Sequence, residues 1–166
     1  TYSRPPLASD GCMVLTNDDF IKIAKYVDVG TTPIVIMPRI DWQAPEKWLD
    51  SRASFNNVIN SWKQDWESLN ADRYLSHYST QFSIDGKDVD DWSQKKRRIN
   101  AAKSFVKIEV SNLSVFEYAL SPTAQPMMIV TFDQNYKSSN SNNQMKKRQY
   151  WQREGESWKI IYEAPA

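Results

Sequence analysis

The single cysteine of the chain, Cys12, directly follows Ser9, Asp10 and Gly11, and this segment predicts a tight turn. A thiol presented by a glycine-containing turn is placed for nucleophilic chemistry, in which the thiolate attacks an electrophilic carbon. The alternative is a cysteine that acts only as a small buried hydrophobe, and such residues usually lie within an apolar run. The residues alone leave both interpretations open.

The composition limits the classes of protein to which the chain can belong. It has 166 residues, of which 40% are hydrophobic, and it carries seven Trp, eight Tyr and six Phe, enough for the core of one domain plus a fragment. The net charge of +1 gives no general attraction for nucleic acid. One cysteine excludes a disulfide framework and a multi-thiolate zinc site, and no apolar run is long enough to span a membrane. We expect no metal, no cofactor, no nucleic acid and no membrane insertion.

The chain divides into three predicted segments, a fragment at 1–40, a linker at 41–52 and a domain at 53–166. It opens on Thr-Tyr-Ser-Arg-Pro-Pro, without an initiator methionine or a signal peptide, so we expect an internal piece of a longer precursor. In the first segment, Asn17 is predicted to cap a helix from Asp18 to about Val27. The apolar run 33–37 then predicts a strand that is buried on both faces.

Helices dominate the first half of the third segment. From Ser54 onward, apolar residues recur at spacings of three and four, which predicts an amphipathic helix. A short second helix is predicted from Asn70 or Asp72, and a short strand at 81–84 before a turn. A third helix is predicted to start at a capping Asp88, with its basic run largely outward: Lys95, Lys96, Arg97 and Arg98.

From Val106 onward the apolar period changes to two, which predicts antiparallel strands. The phase slips at Ser111 and Asn112, as a β-bulge produces, and bulges bend long strands. Further strands are predicted at 128–136, 144–153 and 158–163. The sequence therefore predicts an α+β fold in which three helices pack on a strongly bent antiparallel sheet.

The first segment resembles the end of the catalytic domain of YkuD-type L,D-transpeptidases. The resemblance rests on the Ser9 to Cys12 turn with the helix after it, and on Val29-Gly30-Thr31-Thr32-Pro33 leading into a strand. It implies a mostly-β catalytic domain of which 1–40 is a remnant, with Cys12 as the nucleophile that attacks diaminopimelate-containing stem peptides of peptidoglycan. Gly11 and Cys12 would supply oxyanion donors, and Ser9 would close the turn or orient a base. In this family the catalytic His lies upstream of the cysteine, so we expect this chain alone to be inactive.

The third segment resembles the nuclear transport factor 2-like, or SnoaL-like, cone fold. The residues that carry the resemblance are Trp62, the run Tyr74 to Tyr78, the stretch from Phe82 to Trp92, the strand around Phe132, and the run from Trp158 to Glu163. The fold hosts enzymes, binders and dimerisation modules, so it does not by itself give a function. Some related folds are isomerases and dehydratases with an Asp and a His in the pocket, for which Asp133 and His77 are the nominal candidates here.

A cone-shaped sheet covered by helices often leaves a pocket at its open end. The aromatic and polar side chains that could line it suit a glycan or a stem peptide, although burial in the core is the alternative for each: Tyr78, Trp92, Gln134, Tyr136, Lys147, Trp151 and Tyr162. The basic runs 95–98 and 146–148 are more often solvated surfaces than binding sites, and anionic murein is the partner expected if they bind anything.

Two function classes follow. In the first, the chain is the C-terminal portion of a periplasmic, Gram-negative L,D-transpeptidase or L,D-carboxypeptidase, with an accessory domain that binds murein or dimerises through its sheet. In the second, it is a stand-alone small-ligand-binding or dimerisation module.

Overall fold

The structure, a computed structural model, describes residues 12–29, 32, 34, 36, 42, 44–118 and 125–166. Its internal contacts divide the chain into two units, Thr1–Ile36 and Met37–Ala166.

In the first unit, helix α1 spans Asn17–Ala24 and is capped by Thr16. The Thr16 backbone is extended, and its hydroxyl oxygen accepts a hydrogen bond from the Asp19 amide at 3.2 Å. The predicted helix is confirmed, but the predicted cap at Asn17 is wrong by one residue, because the extended backbone that a cap requires lies at Thr16. The helix also ends earlier than predicted.

The predicted buried strand at 33–37 is not found at the two positions that the structure describes. Ile34 and Ile36 lie outside any strand and are 67% and 70% exposed. The other three residues of this run lie outside the described residues. All strand pairing among the described residues lies in the second unit, so no described partner strand covers Ile34 or Ile36.

In the second unit, helix α2 spans Pro45–Glu67 and begins nine residues before the predicted start at Ser54. A proline is tolerated in the first helical turn because its missing N–H would have no intrahelical partner there. Trp48 and Leu49, in the predicted linker, are therefore helical but half exposed. From Phe55 onward the helix buries one face at the predicted spacing: Phe55, Ile59, Trp62, Asp65 and Trp66.

Helices α3, Ala71–Leu75, and α4, Val89–Ala101, confirm the other two helix predictions. Asn70 caps α3, and the Asp88 carboxylate caps α4 by accepting from two backbone amides at 3.0 and 3.1 Å. The predicted strand at 81–84 is reduced to a single bridge, Ile84 to Lys87, across a turn.

The sheet consists of four antiparallel strands in the order β1-β2-β3-β4: Val106–Tyr118, Met127–Ser138, Asn142–Glu154 and Ser157–Pro165. The pairing of β1 with β2 shifts between Ser111 and Ser114, where Asn112 has a positive φ of 51°. This confirms the predicted bulge. A second shift lies between Tyr150 and Trp151, where β3 pairs with β4. The α+β class and the helix-covered antiparallel sheet are confirmed.

The core lies between the buried face of α2 and one face of the sheet. Trp62 packs on Phe132 of β2 at 5.9 Å between ring centroids, and Phe55 meets Trp151 of β3 edge-on at 5.8 Å. The Glu67 carboxylate accepts a hydrogen bond from the backbone amide of Ile108 at 2.7 Å, which joins the end of α2 to β1. One side of the sheet is thereby fixed against the helices.

Replacing Ile59 by Ala tests this packing. Ile59 is 2% exposed, so Ile59→Ala leaves a cavity in the core and should lower the free energy of unfolding by about 2–5 kcal/mol, as measured by urea denaturation. Asn57→Ala, on the exposed side of the same helix, is the control and should change it by less than about 0.5 kcal/mol. Equal effects of the two substitutions would show that this face of α2 is not packed.

Candidate ligand-binding site

A cavity of about 340 Å³ lies between α4 and the covered face of the sheet. Aromatic and aliphatic side chains form part of its wall, among them Trp66, Trp92, Tyr136 and Met145. The remaining wall includes seven side chains that carry charge or amide groups: Lys96, Asn100, Lys103, Gln134, Asn143, Lys147 and Glu163. An apolar cavity with a few converging polar groups is the usual form of a small-ligand site.

Glu163 is a buried carboxylate whose oxygens are already occupied by protein donors. Lys147 donates to Oε1 at 2.8 Å, and Gln149 donates to Oε2 at 2.7 Å. Tyr78 also donates to Oε2, at 3.2 Å. Because three donors hold this carboxylate, it positions other groups and is poorly suited to remove a proton from a ligand.

Two tyrosines extend this network into the helices. The hydroxyl oxygens of Tyr74 and Tyr78 are 2.6 Å apart. Since the Tyr78 hydroxyl gives its proton to Glu163, Tyr74 donates to Tyr78. Burial, and then the charge of Glu163, raise the pKa values of both phenols, so both stay protonated and the direction of these hydrogen bonds is fixed at neutral pH.

The charge of Glu163 is balanced by its surroundings. Burial alone would raise the pKa of this carboxyl, but the positive charges of Lys147 and Lys96 and the hydrogen bonds from Lys147 and Gln149 outweigh burial. The pKa of Glu163 therefore lies below its ordinary value, and the group is ionised at neutral pH.

Lys96 lines the cavity and forms no ion pair with a carboxylate among the described residues. Its ammonium group lies over the rings of Trp92, Trp66 and Tyr74, at 4.3, 5.1 and 5.7 Å from their centroids. Among the described residues, no carboxylate lies within 4.0 Å of it. Removal from water lowers the pKa of Lys96 to about 8, with the charge of Glu163 opposing the shift and that of Lys147 adding to it. An anionic ligand beside Lys96 would stabilise its protonated form, which removal from water destabilises.

Three buried polar atoms of cavity-lining residues lack a partner within the described part of the chain. They are the indole nitrogen of Trp92, the amide nitrogen of Asn100 and the amide oxygen of Gln134. A buried polar atom without a hydrogen bond is costly, and a ligand that supplies the missing partner recovers that cost. Two of the three are donors, which adds to the preference for an anion.

Five of the seven side chains predicted from the sequence lie at this site. Trp92, Gln134, Tyr136 and Lys147 line the cavity, and Tyr78 contacts Glu163 beneath it. Whether they bind a substrate stays a prediction.

The structure places the other two elsewhere. Trp151 is fully buried in the core, where its indole nitrogen donates to Gln149 at 3.1 Å. Tyr162 is 38% exposed and packs against Tyr150, with 5.2 Å between the ring centroids and the rings tilted by 37°. The register shift between β3 and β4 changes the alternation of side chains, so that Glu163, and not Tyr162, lies on the covered face.

Sequence reasoning missed Lys96, Glu163, Asn100 and Trp66. The run 95–98 was predicted to lie largely outward, but Lys96 is four residues after Trp92 and four before Asn100, which puts all three on one side of α4. The basic run 146–148 is likewise not a uniformly solvated surface, since Lys147 is 5% exposed. Helical spacing from Trp92 was the signal available for Lys96.

His77 and Asp133 are not brought together. The His77 ring nitrogen Nε2 donates to Asp65 at 2.8 Å, and Arg73 holds the other oxygen of that carboxylate. Burial lowers the pKa of His77, and its hydrogen bond to Asp65 partly opposes that shift. Asp133 instead accepts a hydrogen bond from Asn112 at 2.7 Å.

Cys12 is exposed and unpaired, and Ser9 and Gly11 lie outside the described residues. No cluster of three or more metal-binding side chains occurs within the described ranges. Among the described helices, none has the length and apolar character needed to cross a membrane.

Lys147→Met tests whether the buried ion pair holds the site together. The substitution leaves the Glu163 carboxylate buried with neutral donors, so the free energy of unfolding should fall by about 3–5 kcal/mol in a urea titration. Arg148→Met removes the same charge from the next, exposed residue and should change it by less than about 0.5 kcal/mol. An equal, small effect of both would contradict the role assigned to Lys147.

Comparison with known proteins gives a family and several similar structures. The profile of the Cds6 C-terminal NTF2-like domain matches residues 54–164. No curated protein sequence matches the chain.

Three solved structures share the fold. Bd1075 of Bdellovibrio bacteriovorus has a TM-score of 0.81 and 25% identity, over 94% of this chain and 56% of that one. A mutant of the helical cell shape determining protein Pgp2 of Campylobacter jejuni has a TM-score of 0.75 and 23% identity, over 93% of this chain and 53% of that one. An NTF2-like protein of unknown function from Pseudomonas putida has a TM-score of 0.58 and 12% identity, over 71% of this chain and 87% of that one.

The chain thus spans about half the length of Bd1075 and Pgp2. The family profile covers more than half of the chain and includes most of α2, all of α3 and α4, and nearly all of the four-stranded sheet. The chain belongs to the Cds6 C-terminal NTF2-like domain family.

Proposed function

We propose that the NTF2-like domain binds anionic stem peptides of peptidoglycan in the cavity beside Glu163. The observation that carries this proposal is the charge of the cavity: three lysines line it, and its one lining carboxylate, Glu163, is already bonded to Lys147. Lys96 and Lys103 thus remain without an ion pair to a carboxylate among the described residues, and with three lysines and one carboxylate the cavity wall has a net positive charge. Stem peptides offer several carboxylates, and the cavity wall also offers apolar surface for their aliphatic parts.

A similar protein supports a role at the cell wall. Pgp2 is described as a helical cell shape determining protein, and the shape of a bacterium depends on its wall. We propose that the chain acts at the periplasmic murein, where stem peptides are found. The whole protein to which this domain belongs would act on the polymer that the domain binds.

The first segment supplies the proposed chemistry. We assign 1–40 to the end of an L,D-transpeptidase-type catalytic domain, 41–52 to the connection and 53–166 to the NTF2-like domain. Cys12 would attack the carbonyl carbon of the diaminopimelate residue and form a thioester, which an amine or water then resolves. The amides of Gly11 and Cys12 would stabilise the oxyanion, and Ser9 would shape the turn. The proton acceptor for the thiol would come from the catalytic domain upstream.

A second candidate function is dimerisation through the outer face of the sheet. Tyr150 and Tyr162 pack against each other on that face, and Tyr162 is 38% exposed. Exposed aromatic side chains are enriched at interfaces between proteins. This function would be compatible with stem-peptide binding on the other side of the sheet.

Binding to purified murein sacculi tests the proposed ligand. Lys96→Met keeps an unbranched side chain of similar length but removes the charge, so the apparent affinity in a co-sedimentation assay should fall by about tenfold or more. Binding by the unmodified chain should also weaken as the pH rises through about 8, because Lys96 then loses its proton.

The matched control is Lys95→Met, which removes the same charge from an exposed neighbour on α4. It should leave binding nearly unchanged. Equal losses of affinity in the two variants would show that sacculi attract the chain only through its overall charge. No loss in either variant would exclude the cavity as the binding site for sacculi.

Release of D-alanine from a murein tetrapeptide tests the proposed chemistry. The present chain alone should release none, because the family's catalytic His lies upstream of Cys12. The longer protein that includes the upstream region should release it, and Cys12→Ala in that protein should abolish release while sacculus binding persists. Turnover by the present chain, or by the Cys12→Ala protein, would exclude the proposed role of Cys12.

A further inference from the structure

We infer that the cavity recognises an α-amino-acid head group, that is, a carboxylate and a protonated amine on the same carbon, and that Gln134 selects for the amine. This inference rests on the proposed function of the same cavity and names the part of the stem peptide that enters it. In a murein stem peptide, the distal end of diaminopimelate carries this head group, whereas the other free carboxylates lie on carbons whose amines are bound in amides.

The donors of the cavity fit the carboxylate. Lys96 has no acidic partner, and the amide nitrogen of Asn100 is buried without a hydrogen bond in the described part of the chain. The ammonium of Lys103 donates to Ser138 and to Asn140, both uncharged. A carboxylate accepts several such bonds at once, and hydrogen bonds between charged groups are the strong ones.

The acceptor of the cavity fits a donor on the ligand. Gln134 is 4% exposed, and its amide oxygen has no partner among the described residues. It is the one cavity-lining residue with a buried, unpartnered acceptor in that part of the chain. A ligand that offers only carboxylates would leave this oxygen unpaired, whereas an ammonium group would pair with it.

The acceptor and the available donors lie in the wall of one cavity. Gln134 of β2 lines it together with Lys96, Asn100 and Lys103. The cavity volume of about 340 Å³ is that of a small-molecule site. A ligand with a carboxylate and an ammonium group on one carbon can therefore present both groups inside it.

Three synthetic tripeptides separate the amine from the carboxylate. The first is L-Ala-γ-D-Glu-meso-diaminopimelate. In the second, lysine replaces diaminopimelate and the distal carboxylate is missing; in the third, 2-aminopimelate replaces it and the distal amine is missing. Titration calorimetry with the unmodified chain should give the tightest binding for the first and affinities about tenfold or more weaker for the other two.

Gln134→Leu should lose the preference for the diaminopimelate peptide over the aminopimelate peptide. Asn135→Leu, on the adjacent exposed residue, should keep it. The inference is overturned if the unmodified chain binds these two peptides equally, or if folded Gln134→Leu still separates them. The comparison of peptides on the unmodified chain decides the matter even if Gln134→Leu fails to fold.

Free meso-diaminopimelate and free D-alanine distinguish the two sources of the head group. Weaker binding of both than of the tripeptide supports recognition of stem peptides. If either free amino acid binds as tightly as the tripeptide, recognition of the head group is supported, and the ligand of the cavity is a free amino acid instead of a stem peptide. Sacculus binding without any preference among the peptides would overturn this inference and leave the proposed function standing, whereas absence of sacculus binding would remove the proposed function itself.

Discussion

The buried carboxylate of Glu163 is the interaction on which the rest of the site depends. It lies near the end of β4 and accepts hydrogen bonds from Lys147 and Gln149 of β3 and from Tyr78, just after α3. A charge can be buried at tolerable cost only if such partners surround it. One side chain thereby joins the last two strands to the helical layer and at the same time neutralises one of the lysines of the cavity.

The net positive charge of the cavity follows from the pairing of Glu163 with Lys147. Because Glu163 is engaged by Lys147, Lys96 is left among aromatic rings without an acidic partner in the described chain. The rings form a continuous series in which neighbouring centroids are 5.0–5.7 Å apart, running from Trp62 through Trp66, Tyr74 and Tyr78 to Phe82 and Trp92. Two members of this series, Trp66 and Trp92, line the cavity, and the ammonium of Lys96 lies over both rings.

Local chemistry made much of the fold predictable from the sequence. The caps at Asn70 and Asp88, the aromatic face of α2 and the phase slip at Ser111 each depend on neighbouring residues, and all are present in the structure. Contacts between residues far apart in the sequence could not be predicted in the same way. The alternation of apolar and polar residues in β4 could not show that the Glu163 side chain faces inward. The register shift that puts Glu163 on the covered face arises from the pairing of β4 with β3.

Only part of the candidate site could be predicted, because residue types indicate a pocket but do not show which side chains face it. Aromatic and amide residues near the ends of strands indicate a pocket, and four of the seven predicted residues line one. A basic run such as 95–98 looks solvated as a whole, and only helical spacing separates Lys96 from its neighbours. The apolar run at 33–37 predicted burial, but burial depends on a covering partner that an apolar run cannot specify.

The indole N–H resonances of the tryptophans offer the most direct test of the cavity as a stem-peptide site. In a ¹⁵N-labelled sample titrated with L-Ala-γ-D-Glu-meso-diaminopimelate, we expect saturable shifts of the indole resonances of Trp92 and Trp66, which line the cavity. We expect no shift of the indole resonance of Trp48, which is exposed on α2. Shifts that spare Trp92 and Trp66 at saturating peptide would contradict it.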